Sequence, residues 1–86
     1  DISYSITDYT KAEELQNLLL NYQSEIIKNI YIFDYFNNEK RQEIKIGFRF
    51  IFQSKISTLT SDQIDIVYTR IVNESLKIDG VAIPGI

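Results

Sequence analysis

Strict alternation between residues 44 and 53 constrains the fold of this chain more than any other feature. Every even-numbered position is apolar and the odd-numbered positions are mostly polar, with Ile44, Ile46, Phe48, Phe50 and Phe52 on one side and Lys45, Gly47, Arg49, Ile51 and Gln53 on the other. Successive side chains of a strand point to opposite faces, so this period of two predicts a strand with one buried face. Its other face, which carries Lys45 and Arg49, is predicted to stay open.

The rest of the chain shows three further strand patterns and one loop. Alternation over residues 1–7 predicts a first strand with Ser3 on its polar side. Residues 26–36 are rich in Ile, Tyr and Phe and predict a second strand, although both parities are apolar and alternation does not assign its buried face. The wholly polar residues 37–42 predict a hairpin-like loop. A short fourth strand is predicted at Val81 and Ile83.

Two helices are predicted from capping-box spacings that precede apolar stripes of helical period. Thr10 with Glu13 marks the start of the first helix, and Thr60 with Gln63 marks the start of the second. Gly80 predicts where the second helix stops. The two predicted helices cover residues 11–23 and 61–78.

The resulting element order, βαββαβ, predicts an α+β fold. With right-handed crossovers it forms a ferredoxin-like sandwich, in which two helices cover one face of a four-stranded antiparallel sheet. A chain of 86 residues is long enough for one core and too short for two, so residues 1–86 are predicted to be a single domain. The other face of the sheet is left bare, where it can bind a ligand or remain a solvated surface.

The residue types that the chain lacks limit its chemistry. It contains no His, Cys, Met or Trp, which excludes the usual zinc and haem ligand sets, a thiol nucleophile, disulfides and an imidazole proton shuttle. No apolar run approaches the ~20 residues that a membrane span requires. The net charge of −3 argues against a free-standing nucleic-acid binder that depends on counterion release, but a weak or assisted RNA contact remains compatible with it.

Candidate binding residues lie in the second strand. Because a lone carboxylate is costly to bury, Asp34 is predicted to face outward. Phe36, two residues further on, then shares that face as an exposed ring beside a carboxylate. Such a pair can stack a nucleobase and accept a hydrogen bond from it, although a strand end with a surface Phe explains the pattern equally well. The Phe residues of the third strand share the parity of Ile44 and are predicted to be core.

Several short motifs occur in a specific order: an Asp-led first strand, then IFDYF at residues 32–36, GFRFIFQS at 47–54 and TLT at 58–60. In this order the chain resembles the ferredoxin-fold anticodon-binding domain at the C-terminus of bacterial phenylalanyl-tRNA synthetase beta subunits, over nearly all of its length. It departs from the family pattern at Ser57 and Pro84, where the family has Arg, and in a shorter loop after Phe36. The chain begins with Asp1 and is expected to be a piece of a larger protein.

The resemblance implies a non-catalytic domain that holds the anticodon of the phenylalanine tRNA on the open sheet face. By position it implies RNA contacts from Ser3, Asp34, Phe36 and Lys45, and Arg49, on the same face as Lys45, is expected to add phosphate attraction. It implies no metal or cofactor in this domain, whereas the parent enzyme would use ATP and magnesium to charge the tRNA.

The same resemblance implies a cytoplasmic parent protein that does not associate with a membrane. Its partner would be a synthetase alpha subunit, in an α2β2 heterotetramer. An alternative hypothesis from another functional class is a regulatory or subunit-assembly domain of the same fold, which binds a small molecule or a partner protein through the sheet. The acidic net charge favours this alternative.

Overall fold

One antiparallel sheet and two helices make up the structure, a computed structural model that describes residues 1–54 and 56–85. The strand order is β2-β3-β1-β4, and all three pairings are antiparallel. The α+β ferredoxin-like prediction is confirmed. The strands are β1 (Ile2–Ile6), β2 (Ile27–Asn38), β3 (Glu43–Phe52) and β4 (Val81–Ala82), and the helices are α1 (Ala12–Leu20) and α2 (Ser61–Ser75).

The even-numbered side of β3 lies at the centre of the core, as its alternation predicts. Ile46 and Phe48 are fully buried, and the Phe48 ring meets the Tyr4 ring of β1 edge-on with centroids 5.7 Å apart. Burial of each such side chain contributes roughly 1.5–3 kcal/mol, and an aromatic pair adds about 0.5–1.5 kcal/mol. The helices cover this side of the sheet with one apolar stripe each, formed by Ala12, Leu15 and Leu19 of α1 and by Val67, Ile71 and Val72 of α2.

Two β-bulges in β2 explain why alternation does not assign its buried face. The register with β3 shifts between Ile27 and Asn29 and again between Ile32 and Asp34. Each bulge inserts one residue into β2. Every side chain after the inserted residue then points to the opposite face of the sheet from the one that uninterrupted alternation would give. Ile32 therefore shares the helix-covered face with its partner Phe48, whereas Asp34 lies opposite Gly47 on the other face.

The second helix begins as predicted and the first does not. Thr60 accepts from the amide of Gln63 (3.2 Å) while the Gln63 side chain accepts from the Thr60 amide (2.9 Å), so this capping box is confirmed. The capping box predicted at Thr10 is wrong. Asp8 instead accepts from the amide and the hydroxyl of Thr10, at 3.0 and 2.6 Å, and caps a short 3-10 turn ahead of α1. These hydrogen bonds lower the pKa of the Asp8 carboxyl.

The element ends also differ from the sequence prediction. Helix α1 ends at Leu20 rather than at residue 23, and α2 ends at Ser75, well before Gly80. Gly80 has a positive φ of 79° in the turn that leads into β4, where its carbonyl accepts from the Thr7 amide at 2.9 Å. Strand β2 continues to Asn38, which shortens the polar loop predicted at residues 37–42 to residues 39–42.

Candidate nucleic-acid interface

The sheet face away from the helices, called the open face below, carries three rows of side chains that run across the strands. Residues paired between neighbouring antiparallel strands share a face, which defines each row. The first row contains Ser5, Lys45 and Phe36, the second contains Ser3, Gly47 and Asp34, and the third contains Arg49 and Tyr31.

All five residues predicted from the sequence lie on the open face: Ser3, Asp34, Phe36, Lys45 and Arg49. Arg49 is half-buried, and the other four are exposed. The Phe36 ring is 56% exposed, more than any other aromatic side chain of the domain. The structure therefore brings together, from three strands, residues that are up to 46 positions apart in the chain.

The second bulge of β2 presents Asp34 to the open face and places a further ring there. Phe33, the inserted residue, lies over Gly47, and a Cβ on Gly47 would be 2.7 Å from the end of that ring. A glycine at this position of β3 therefore provides the room that the Phe33 ring occupies. Phe33 is 40% exposed.

Arg49 makes two kinds of contact in the third row. Its Nε and Nη2 atoms donate to the two carboxylate oxygens of Asp1, each at 3.0 Å. Its guanidinium also lies over the Phe33 ring, 4.8 Å from the centroid, and 6.0 Å from the centroid of Tyr31. Arg49 was expected to supply phosphate attraction; in the structure its charge is paired with Asp1, and its guanidinium lies over an aromatic ring.

Sequence reasoning missed Asp1, Tyr31 and Phe33 as open-face residues. The alternation that identified Lys45 and Arg49 is a property of one strand, whereas the contacts of Asp1 with Arg49 join residues 48 positions apart. Phe33 is visible in the sequence only as the neighbour of Asp34. Its place on the same face follows from the bulge, which the residue pattern does not indicate.

The charges of the open face nearly balance. Glu43, the first residue of β3, accepts from the Ser5 hydroxyl at 2.8 Å, and its second oxygen lies 4.0 Å from the Lys45 ammonium. With Asp1 and Asp34, three carboxylates thus accompany the two cations Lys45 and Arg49. Such a surface provides exposed rings and hydrogen-bonding groups rather than a strongly positive field, so it suits bases better than phosphates.

The sequence model of the ferredoxin-fold anticodon binding domain family matches residues 1–81. The chain belongs to this family. The match covers every residue of the open face named above and ends at the first residue of β4. Among known proteins, this ferredoxin-fold anticodon binding domain is 29% identical over 85 residues to the phenylalanine-tRNA ligase beta subunit of Syntrophus aciditrophicus (strain SB). The aligned region covers 96% of the chain and 11% of that subunit, so the chain spans about a tenth of the relative's length.

Within residues 1–54 and 56–85, no group of three or more His, Cys, Asp or Glu side chains is arranged to hold a metal ion. In the same described part of the chain, neither helix has the length and the apolar character needed to cross a membrane.

Proposed function

We propose that this domain is part of the beta chain of a phenylalanine-tRNA ligase and binds the anticodon loop of the phenylalanine tRNA on its open face. The observation that carries the proposal is the pairing of the exposed Phe36 ring with the Asp34 carboxylate in adjacent rows of that face. Sequence-specific RNA recognition acts mainly on single-stranded bases, which stack on such rings and form hydrogen bonds through their edges.

Each residue of the first two rows has a role that its chemistry supports. Phe36 stacks one base of the loop, and Asp34 accepts a hydrogen bond from an exocyclic amine or ring N–H. The Ser3 hydroxyl lies across Gly47 from Asp34 and can donate to a base acceptor. Lys45, beside Phe36, is exposed and attracts a backbone phosphate.

In the proposed parent enzyme this chain is one non-catalytic domain, residues 1–86, of a longer protein. Similarity to a ligase beta subunit, of which the chain spans 11%, supports this assignment. The enzyme would use ATP and magnesium elsewhere to attach phenylalanine to the tRNA. It would assemble with an alpha subunit as an α2β2 heterotetramer in the cytoplasm.

Binding is tested by titrating the isotopically labelled 86-residue chain with an anticodon stem-loop RNA in low salt, followed by NMR. We expect chemical-shift changes at Ser3, Asp34, Phe36 and Lys45, and none on the buried side of α2. A hairpin with the same stem and an unrelated loop is the matched control. If the open-face signals do not move, the small-molecule or partner-protein alternative replaces this function.

Stacking on Phe36 is tested by replacing its ring. Phe36→Ala should weaken stem-loop binding by about 1–3 kcal/mol, the usual cost of losing one base–aromatic stack. Tyr35→Ala is the matched control, because Tyr35 is also about half exposed (52%) and adjacent in β2 but lies opposite Ile46 on the other face. Equal affinity of the two variants, measured by fluorescence anisotropy, would remove the stacking role.

A further inference from the structure

The third row of the open face, together with the Phe33 ring that lies over Gly47 of the second row, has no role in the proposed function. Tyr31, Phe33 and Arg49 are named here the Arg49 platform. Both rings expose about two fifths of their surface, at 39% and 40%. Ile51, the next open-face residue of β3, exposes 37% and extends the apolar surface.

The guanidinium of Arg49 is held in a defined orientation. The two hydrogen bonds to Asp1 engage one edge of its plane, and its Cζ atom lies over the Phe33 ring, 4.8 Å from the centroid. An arginine has five N–H donors, of which these bonds use two. Three donors therefore remain for a further partner, next to a planar surface that a flat ligand can cover.

We infer that the Arg49 platform stacks a second nucleobase of the same RNA, separate from the base on Phe36. The inference rests on the proposed function. Bases splayed out of single-stranded RNA stack on aromatic rings and on arginine planes, and this platform offers both. Asp1 disfavours a phosphate at the same place, because it neutralises Arg49 and would repel an anion beside it.

The spacing of the rows sets the spacing of the bases. Lys45, in the Phe36 row, and Arg49 are four residues apart in β3, which is about 13 Å at about 3.3 Å per residue. Stacked neighbouring bases are only ~3.4 Å apart, so the bases on the two sites are not stacked neighbours. The two bases therefore belong to nucleotides that are not adjacent, or to adjacent nucleotides whose bases are splayed apart.

The test combines protein variants with RNA hairpins in which single loop positions lack a base. Affinities of the 86-residue chain for the phenylalanine anticodon stem-loop and its abasic series are measured by fluorescence anisotropy. We expect two different sensitive positions, each costing roughly 5- to 150-fold in affinity, the range for one lost base stack.

Arg49→Lys and Tyr31→Leu should each weaken binding of the intact RNA and abolish the effect of one abasic position. Phe36→Ala should abolish the effect of the other. Lysine keeps the positive charge of Arg49 but lacks the planar guanidinium. A loss of affinity in Arg49→Lys therefore reports lost stacking rather than lost attraction to phosphate. Tyr31→Leu leaves the pair of Arg49 with Asp1 in place, so a loss of affinity in this variant does not come from breaking that pair. Tyr35→Leu, on the opposite face, is the matched control and should leave every affinity unchanged.

The outcomes separate the inference from the function on which it rests. If the Arg49 and Tyr31 variants abolish the effect of one abasic position and Phe36→Ala abolishes the effect of another, the platform and the proposed function are both supported. If Arg49→Lys binds the RNA with unchanged affinity, or if only Phe36→Ala abolishes the effect of an abasic position, the base-stacking role of the Arg49 platform is wrong and the proposed function stands. Absence of binding by the unmodified chain overturns both.

Discussion

At the scale of single residues, the least exposed polar contact of the core joins β1 to α2. The Tyr4 hydroxyl donates to the Ser75 hydroxyl at 2.8 Å, and Ser75 in turn donates to the Val72 carbonyl at 2.9 Å. Both side chains are at most 1% exposed. Burial raises the pKa of Tyr4 to about 12, because the charged phenolate would lose its water.

The raised pKa of Tyr4 predicts a loss of stability in alkaline solution. Between pH 10 and pH 12 the unfolded chain releases the Tyr4 proton while the folded chain retains it, so the free energy of unfolding falls as the pH rises. The contribution is at most about 1.4 kcal/mol per pH unit. Urea unfolding of the unmodified chain and of Tyr4→Phe, from pH 8 to 12, measures it.

Tyr4→Phe should be less stable by about 1 kcal/mol near pH 8, because one hydrogen bond is lost while Ser75 keeps its own acceptor. The difference between the two proteins should shrink above pH 10. Parallel curves over the whole range would show that Tyr4 titrates alike in the folded and unfolded states.

At the scale of elements, two helices with the same sequence signature begin differently. The spacing of a Thr and an acidic or amide residue occurs before both, but only Thr60 forms a capping box. Asp8 lies two residues before Thr10 and engages its amide and hydroxyl first, so the chain forms a 3-10 turn and α1 begins at Ala12. The N-cap of α1, Lys11, makes no capping hydrogen bond with its side chain, which instead pairs with Glu14 at 3.4 Å.

This difference predicts unequal effects of two similar substitutions. Thr60→Ala should lower the free energy of unfolding by about 1 kcal/mol, within the usual range for a lost N-cap. Thr10→Ala should change it by less than about 0.5 kcal/mol, as for most surface sites, because Thr10 caps no helix. Urea unfolding at neutral pH compares the two variants directly. Equal losses would mean that Thr10 stabilises α1 in solution.

At the scale of the whole molecule, the net charge of −3 and the balanced open face predict that the proposed RNA binding has little electrostatic support. Contact with one or two phosphates corresponds to a slope of about −0.7 to −1.4 in a plot of log affinity against log salt concentration. Lys45→Gln should reduce that slope by about 0.7, since the Lys45 ammonium lies 4.0 Å from Glu43, whereas Arg49 makes two 3.0 Å hydrogen bonds to Asp1. Anisotropy titrations between 50 and 200 mM salt check this prediction.

The salt dependence also distinguishes two ways of binding. A slope several times steeper would indicate many phosphate contacts. The RNA would then bind to a surface whose cations are not those of the open face. Phe36→Ala should leave the slope unchanged while it lowers the affinity, because a stacked base releases no counterion.

Much of the fold could be predicted because its signals are local. Side chains alternate along a strand by backbone geometry alone, so β3 reveals which of its faces is buried, and the order of strand and helix patterns leaves one simple topology. The candidate site was predictable to the same degree. Lys45 and Arg49 follow from alternation in β3, and Asp34 follows from the cost of burying a carboxylate.

The sequence by itself therefore determined the ferredoxin-like architecture and the core side of β3, and it indicated the open-face positions of the candidate residues, whereas the role of Ser3 was implied by the family resemblance alone. Only the tertiary structure decided how β2 meets β3, because a bulge at Phe33 depends on the glycine across the strand pair. It also decided the state of Arg49, whose partners Asp1 and Phe33 come from two other parts of the chain. Both are contacts between distant residues, and a periodic pattern within one segment contains no information about them.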